Sequence, residues 1–134
     1  MKKWVKLSSG IILDHPRMKI RKDIVRLPNG EMKEWPFWES TDSAMVVGIT
    51  PNRKLIMIRQ YRYLVGDEVI EFPSGSLRKK EKIEDGLKRE FEEETGYKAM
   101  SLQKLCAVYE TYGQLNRKIH IYFAPNVVKT KQQL

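Results

Sequence analysis

The residues best equipped to do chemistry in this chain are carboxylates. Residues 75–97 read GSLRKKEKIEDGLKREFEEETGY and hold seven acids, Glu81, Glu84, Asp85, Glu90, Glu92, Glu93 and Glu94, in a protein with a formal net charge of +8. Residues 83–95 have helix-forming composition, and Gly96 stands where a left-handed cap would end the helix. At about 100° per residue, Ile83, Leu87 and Phe91 share one apolar stripe. With Ile83 as zero, Glu94 falls at about 20°, Glu90 at about 340° and Glu93 at about 280° on the same wheel. Glu92, Asp85 and Lys88 point the opposite way. A solvated helix would carry its acids on the wet face, yet two glutamates one turn apart lie where this helix must meet the protein. Carboxylates at such a border need cations or strong donors, because burying an unpaired charge is costly. A divalent metal ion is the simplest partner for several oxygens converging at i and i+4.

Two arginines add a complementary chemistry. Arg59 and Arg62 fall at or past the end of a strand, and guanidinium forks suit phosphate oxygens. The positive balance, with a sequence pI of about 9.6, favours anionic ligands, phosphates above all. The lysines are scattered rather than gathered with aromatics, so a nucleic-acid partner is not expected. Trp35, Phe37 and Trp38 either pack on a core or subunit interface or form a stacking surface for a base.

These residues need a scaffold, and 134 residues suffice for one domain with its own core but not for two. Hydrophobic content of 41% with 31% charged residues fits a soluble globular protein. No apolar run approaches membrane-spanning length, so no membrane partner is expected, and the N-terminus lacks the apolar centre of a signal peptide. The single Cys106 excludes an internal disulfide framework and suits a reducing compartment, so the expected location is cytoplasmic.

In chain order, residues 4–13 and 18–27 read as strands. Pro28-Asn29-Gly30 signals a turn, and residues 31–39 should return as a hairpin partner. Residues 43–50 form a near-continuous apolar run expected to be a buried strand. Residues 54–60, 68–72, 102–110 and 119–124 read as further strands, with Pro73-Ser74-Gly75 as the turn into the acidic helix. Residues 111–118 form a polar loop, and the polar tail 125–134 is expected to fray. Strands around one well-marked helix make an α+β domain.

The stretch from Gly75 resembles the Nudix box, the signature of hydrolases that cleave nucleoside diphosphates linked to another group. Gly75, Glu81, Arg89, Glu90, Phe91, Glu93, Glu94 and Gly96 fall in its register, with Phe91 and Tyr97 aromatic where aliphatic residues are usual. Such a spaced set is far more specific than a lone glycine-rich loop. Leu27-Pro28-Asn29-Gly30, Arg59-Gln60-Tyr61-Arg62-Tyr63, Glu71-Phe72-Pro73-Ser74-Gly75 and Lys118-Ile119-His120 are similar to the ADP-ribose pyrophosphatase branch. The resemblance implies a Nudix-type α/β/α sandwich around a mixed β-sheet, with an N-terminal antiparallel sheet exchanged across a homodimer. It divides the single domain 1–134 into an N-terminal hairpin and dimerisation region, about 1–42, and a core, 43–134, short at its C-terminal end. It also implies a nucleoside diphosphate-type small-molecule substrate, with Mg²⁺ or Mn²⁺ held by Glu90, Glu94, Glu93 and the Ser74 carbonyl. In that picture Glu90, Glu93 and Glu94 are catalytic and Arg89 orients them. Glu81 supports the same site or is an outer ligand, and Arg59, Arg62, Glu71 and Tyr112 contact substrate.

Two departures bear on the substrate. Thr111-Tyr112-Gly113 carries tyrosine where the ADP-ribose branch has proline, a feature similar to dinucleoside polyphosphate hydrolases. Asn116 and Arg117 replace a loop glutamate, which leaves Glu93 or Glu110 as general base. The leading expectation is hydrolysis of ADP-ribose or a related nucleoside diphosphate sugar to AMP and a sugar phosphate. The alternatives are a dinucleoside polyphosphate hydrolase and a catalytically weak nucleotide-binding module.

Overall fold

The computed structural model describes residues 3–76 and 82–131, apart from the Ser76 side chain. Glu81 lies outside the described residues. Two compact units are present, one formed by residues 1–41 and 109–117 and the other by residues 42–108 and 118–134.

The first unit is built on an antiparallel sheet, β1 (Val5–His15), β2 (Met18–Arg26) and β3 (Met32–Glu39), in that order. The turn at Pro28-Asn29-Gly30 closes the β2–β3 hairpin as its residue types demand. Gly30 takes φ 92°, its N–H donates to the Leu27 carbonyl, and Asn29 Oδ1 accepts the Glu31 N–H. Pro36 lies in β3, at the sheet edge, where its missing N–H costs no ladder bond. Leu115, in the second segment of this unit, bridges Trp38, and the Trp38 N–H donates to the Gln114 carbonyl.

The second unit carries a mixed sheet in the order β10 (Gln103–Tyr109), β11 (Lys118–Ala124), β4 (Ser43–Ile49), β5 (Leu55–Ile56), with β8 (Ser74–Ser76) also on β4. β11 and β4 run parallel, while β5 and β8 are antiparallel to β4. The expected mixed sheet and N-terminal antiparallel sheet are both present. Among the described residues α1 (Ile83–Thr95) is the one helix.

The helix follows its sequence signals. Glu84 and Asp85 sit in the first turn, where negative charge complements the helix dipole, and Gly96 closes the other end at φ 70°, its N–H donating to the Glu92 carbonyl. The predicted stripe is the buried one. Phe91 and Leu87 join Ala44, Val46, Ile56 and Tyr122 in the core, with Ile83 packed against it. Phe91 reaches so close to β4 that a Cβ on Gly48 would stand 2.6 Å from its ring.

Three local readings are corrected. The strand expected over 54–60 breaks at Met57, because β5 pairs with β4 whereas β6 (Ile58–Arg62) leaves to pair with β7 (Asp67–Glu71). The turn expected at Ser74 and Gly75 is strand β8, recruited by the open flank of β4. The tail expected to fray contains β12 (Val127–Lys129), which pairs with β9 (Tyr97–Ala99) directly after the helix cap. Val127 is buried there, and that apolar anchor holds a tail whose composition is otherwise polar.

Candidate active site

The second unit assembles its site from α1, the β6–β7 hairpin and the strand β8. On α1, Glu90, Arg89 and Glu93 are joined by ion pairs. Arg89 Nη2 donates to Glu90 Oε1 at 3.2 Å and Nη1 to Glu93 Oε2 at 3.0 Å. Arg89 thus links the two carboxylates that it is expected to orient. The Glu90 carboxylate lies against Gly75 of β8, where a Cβ would stand 1.6 Å from its Oε2. Glycine at this position leaves the space that the carboxylate fills. Glu94 shares a narrow crevice with Ser74, Gly75 and Glu90. Burial pushes its carboxyl upward first, and the charges of Glu90, Glu71 and Glu93 push the same way against Arg62.

The hairpin sorts its polar groups by face. Ile58 stands opposite Glu71 in the ladder, so alternation places Gln60, Arg62 and Glu71 on one face. Arg62 forms an ion pair with Glu71, and Gln60 donates to the same carboxylate. Burial pushes the Glu71 carboxyl up, but these hydrogen bonds outweigh burial and hold it below the usual carboxylate range. Arg59 belongs to the other face, where its Nη1 is 3.8 Å from Glu68, and its side chain is 67% exposed. The two arginines thus pair with different acids. Gln60 was missed in the sequence, although its two-residue spacing from Arg62 on a strand was the available signal.

Tyr112 belongs to the first unit. There, with Trp4, Trp35, Val25 and Pro28, it lines a groove of about 820 Å³ and is 86% exposed. Trp4 and Trp35 meet edge to face at 5.4 Å, and the Lys33 ammonium stands 5.0 Å above the Trp35 ring. In the same unit Glu110 accepts from both Nε and Nη2 of Arg117. The residue that replaces a loop glutamate therefore neutralises the nearest acid in sequence.

A profile of the NUDIX domain matches residues 39–134. The chain belongs to the NUDIX family. Its relatives include the ADP-ribose pyrophosphatase of Bacillus subtilis (strain 168), 34% identical over 112 residues that cover 82% of this chain and 60% of that protein. The methanol dehydrogenase activator of Bacillus methanolicus is 32% identical over 112 residues, 84% of this chain and 60% of its own length. This NUDIX chain thus spans about 60% of the length of those curated relatives. Their different names at similar identity leave the substrate to be argued from the site. A crystal structure of an ADP compounds hydrolase superposes with a TM-score of 0.88 at 20% identity, over 100% of this chain and 73% of that one, which supports the fold.

NUDIX hydrolases generally use divalent metal ions. Among the described residues no three His, Cys, Asp or Glu side chains converge as a ready cage, and Arg89 engages Glu90 and Glu93. The donor set nevertheless fits such an ion. Burial first, then its carboxylate neighbours, raises the Glu94 carboxyl, and a bound cation would offset both. The Gly75 cradle admits the Glu90 carboxylate beside it.

Proposed function

We propose that this chain hydrolyses the pyrophosphate bond of ADP-ribose or a related nucleoside diphosphate sugar in a metal-dependent reaction, giving AMP and a sugar phosphate. The observation that carries this reading is the crevice that Glu90 and the half-buried Glu94 share with Ser74 and Gly75, with Arg62 of the β6–β7 hairpin held by Glu71. Carboxylates for a cation and arginines for phosphate oxygens are what a phosphate anhydride requires, because its oxygens repel anionic nucleophiles.

We assign Glu90, Glu93, Glu94 and the Ser74 carbonyl to Mg²⁺ or Mn²⁺. Such an ion, when bound, supplies charge neutralisation at the pyrophosphate and lowers the pKa of a water. Arg89 fixes the carboxylates of Glu90 and Glu93. Glu71 and Gln60 hold Arg62 in place for phosphate, and Arg59 offers a second cation. A water oxygen bonds to phosphorus, the anhydride P–O bond breaks, and the bridging oxygen leaves on the other product. Glu93 takes the proton of that water. It shares α1 with Glu90 and Glu94, the other carboxylates of the proposed metal set.

Tyr112 favours a second reading. Its exposed ring, in a groove with Trp4 and Trp35, suits a nucleobase and hence a dinucleoside polyphosphate. The proposed partner is a second copy of the chain. β1 is exposed along its whole length and presents Val5, Leu7, Ile11, Ile12 and Leu13, an apolar surface of the kind that marks an interface. Light scattering should find a dimer. Cys106 is free and exposed, which suits a reducing compartment such as the cytoplasm. Among the described residues no helix is long and apolar enough to cross a membrane.

The deciding experiment is a hydrolysis panel with Mg²⁺ or Mn²⁺, using ADP-ribose, other nucleotide sugars and a dinucleoside tetraphosphate. ADP-ribose should yield AMP and ribose 5-phosphate, and chelation or Glu94→Gln should abolish it. Faster cleavage of the dinucleoside tetraphosphate would establish the second reading. ADP-ribose binding without turnover of any substrate would make the chain a binding module.

A further inference from the structure

The second unit holds a polar groove of about 780 Å³ lined by Thr50, Asn52 and Lys54, by Arg59 and Gln60 of β6 and by Glu94 of α1. Its volume lies in the range of small-molecule sites, roughly 300–1,000 Å³. The turn that carries Asn52 and Lys54 is tightly fixed. The Thr50 N–H donates to the Lys54 carbonyl at 2.9 Å, the Arg53 N–H to the Thr50 carbonyl at 2.9 Å, and the Lys54 N–H to Thr50 Oγ1 at 3.0 Å. Arg53, at its corner, takes φ 62°, a left-handed conformation that a non-glycine residue keeps only where its surroundings impose it. The turn is therefore set before any ligand arrives.

Among the described residues Lys54 forms no ion pair, whereas Arg59, Arg62 and Arg89 each have an acidic partner. An uncommitted ammonium in a groove shared with Glu94 is available to an anion. Tyr97 is the one aromatic residue in the lining, and its ring packs against the core. The groove therefore offers a nucleobase no stacking surface. Its hydroxyl, amide and ammonium groups suit a small hydroxylated anion instead.

We propose that this groove is the subsite for the sugar phosphate half of the substrate, and that Lys54 and Asn52 determine its specificity. Lys54 attracts the phosphate oxygens and the Asn52 amide hydrogen-bonds sugar hydroxyls. The assignment of a sugar phosphate rests on the hydrolysis reading above.

Ribose 5-phosphate and AMP, titrated separately into the whole chain by calorimetry, test it directly. Lys54→Ala and Asn52→Ala should each weaken ribose 5-phosphate by about tenfold and change AMP by less than about twofold. For ADP-ribose turnover they should raise KM with little change in kcat. Lys104→Ala, which removes the same charge from exposed β10, should alter neither ligand. Failure of the wild type to bind ribose 5-phosphate, equal losses for both ligands, or unchanged affinity in Lys54→Ala would each overturn the subsite. Selective ribose 5-phosphate binding without ADP-ribose turnover would overturn the hydrolysis reading and leave the subsite standing.

Discussion

The two compact units use opposite chemistries. The second unit has a continuous buried core, and on its edge it crowds Glu90, Glu94 and Glu71 around two arginines. The first buries little beyond Val25 and Leu115, leaves β1 exposed throughout and presents Trp4, Trp35 and Tyr112 to a groove. Its strands are tied instead by surface ion pairs, Arg21 to Glu39 and Lys22 to Glu34, which contribute little stability in water. Crowded charge needs a rigid core to hold it, and the carboxylates of α1 stand on one. Exposed rings need only a ladder of backbone hydrogen bonds, and they recognise flat ligands without bearing charge. The contrast sets crowded charge on a core against exposed rings on an open sheet.

Replacing Glu94 should expose that separation most strongly. Glu94→Gln is expected to lower Mg²⁺-dependent turnover by about a thousandfold or more, since it removes a charge from the metal set. Stability should move the other way. The folded-state pKa of Glu94 is raised, so its stabilising contribution is full below the unfolded value and is lost as pH rises through the folded value. Above that window the ionised group opposes folding. Denaturation at pH about 7 should therefore find the variant as stable as the wild type or more so. A large loss of stability would show that Glu94 is structural, and the comparison would collapse.

Gly75→Ala should act next most strongly. A Cβ there would meet the end of the flexible Glu90 side chain, which can swing away at small cost to the fold. Turnover should fall by about a hundredfold, as expected when a catalytic group is displaced by an ångström. Gly48→Ala is the structural counterpart, because its Cβ would meet the buried Phe91 ring. That variant should lose about 1–3 kcal/mol by overpacking. Similar stability losses in both would mean that Gly75 serves packing rather than the carboxylate.

Tyr112→Ala tests the aromatic side. Base stacking is worth about 1–3 kcal/mol, so affinity for a dinucleoside tetraphosphate, the ligand of the second reading, should fall by about tenfold. Unchanged affinity would remove the observation that favours that reading.

The sequence made the helix and its charges legible because one element carries both signals. The stripe of Ile83, Leu87 and Phe91 set the buried face, and the same wheel placed Glu94 at its border, where burial raises its carboxyl. Pairing between distant segments left weaker marks. β8, β9 and β12 are three residues each, too short for alternation to register, and they exist because neighbouring strands accept them. The break at Met57 depends on β4 and β7 competing for one chain segment. Arg59 and Arg62 read as a pair in sequence, yet an odd spacing on a strand turns them to opposite faces. The grouping of Tyr112 with Trp4 and Trp35 is a long-range contact that no local pattern encodes.

The smallest expected effect lies where the chain twice enters the second unit, at Asp42 and at Lys118. Asp42 Oδ1 accepts the Lys118 N–H at 3.0 Å, and Oδ2 lies 3.0 Å from His120 Nε2. The His120 hydrogen bond, then that backbone N–H, holds the Asp42 carboxyl below its ordinary value. A depressed folded pKa gives stability that is full above the unfolded value and lost as pH falls through the folded one. Asp42→Asn should therefore be less stable than the wild type at pH about 7 and converge with it as pH falls through the depressed folded value. The Asp42 side chain is 40% exposed, so screening should keep the difference below about 1 kcal/mol. Turnover should be unchanged, because this clasp joins β11 to the start of β4 and touches none of the carboxylates on α1. Activity that fell in step with stability would tie the clasp to the site and blur the line between scaffold and chemistry.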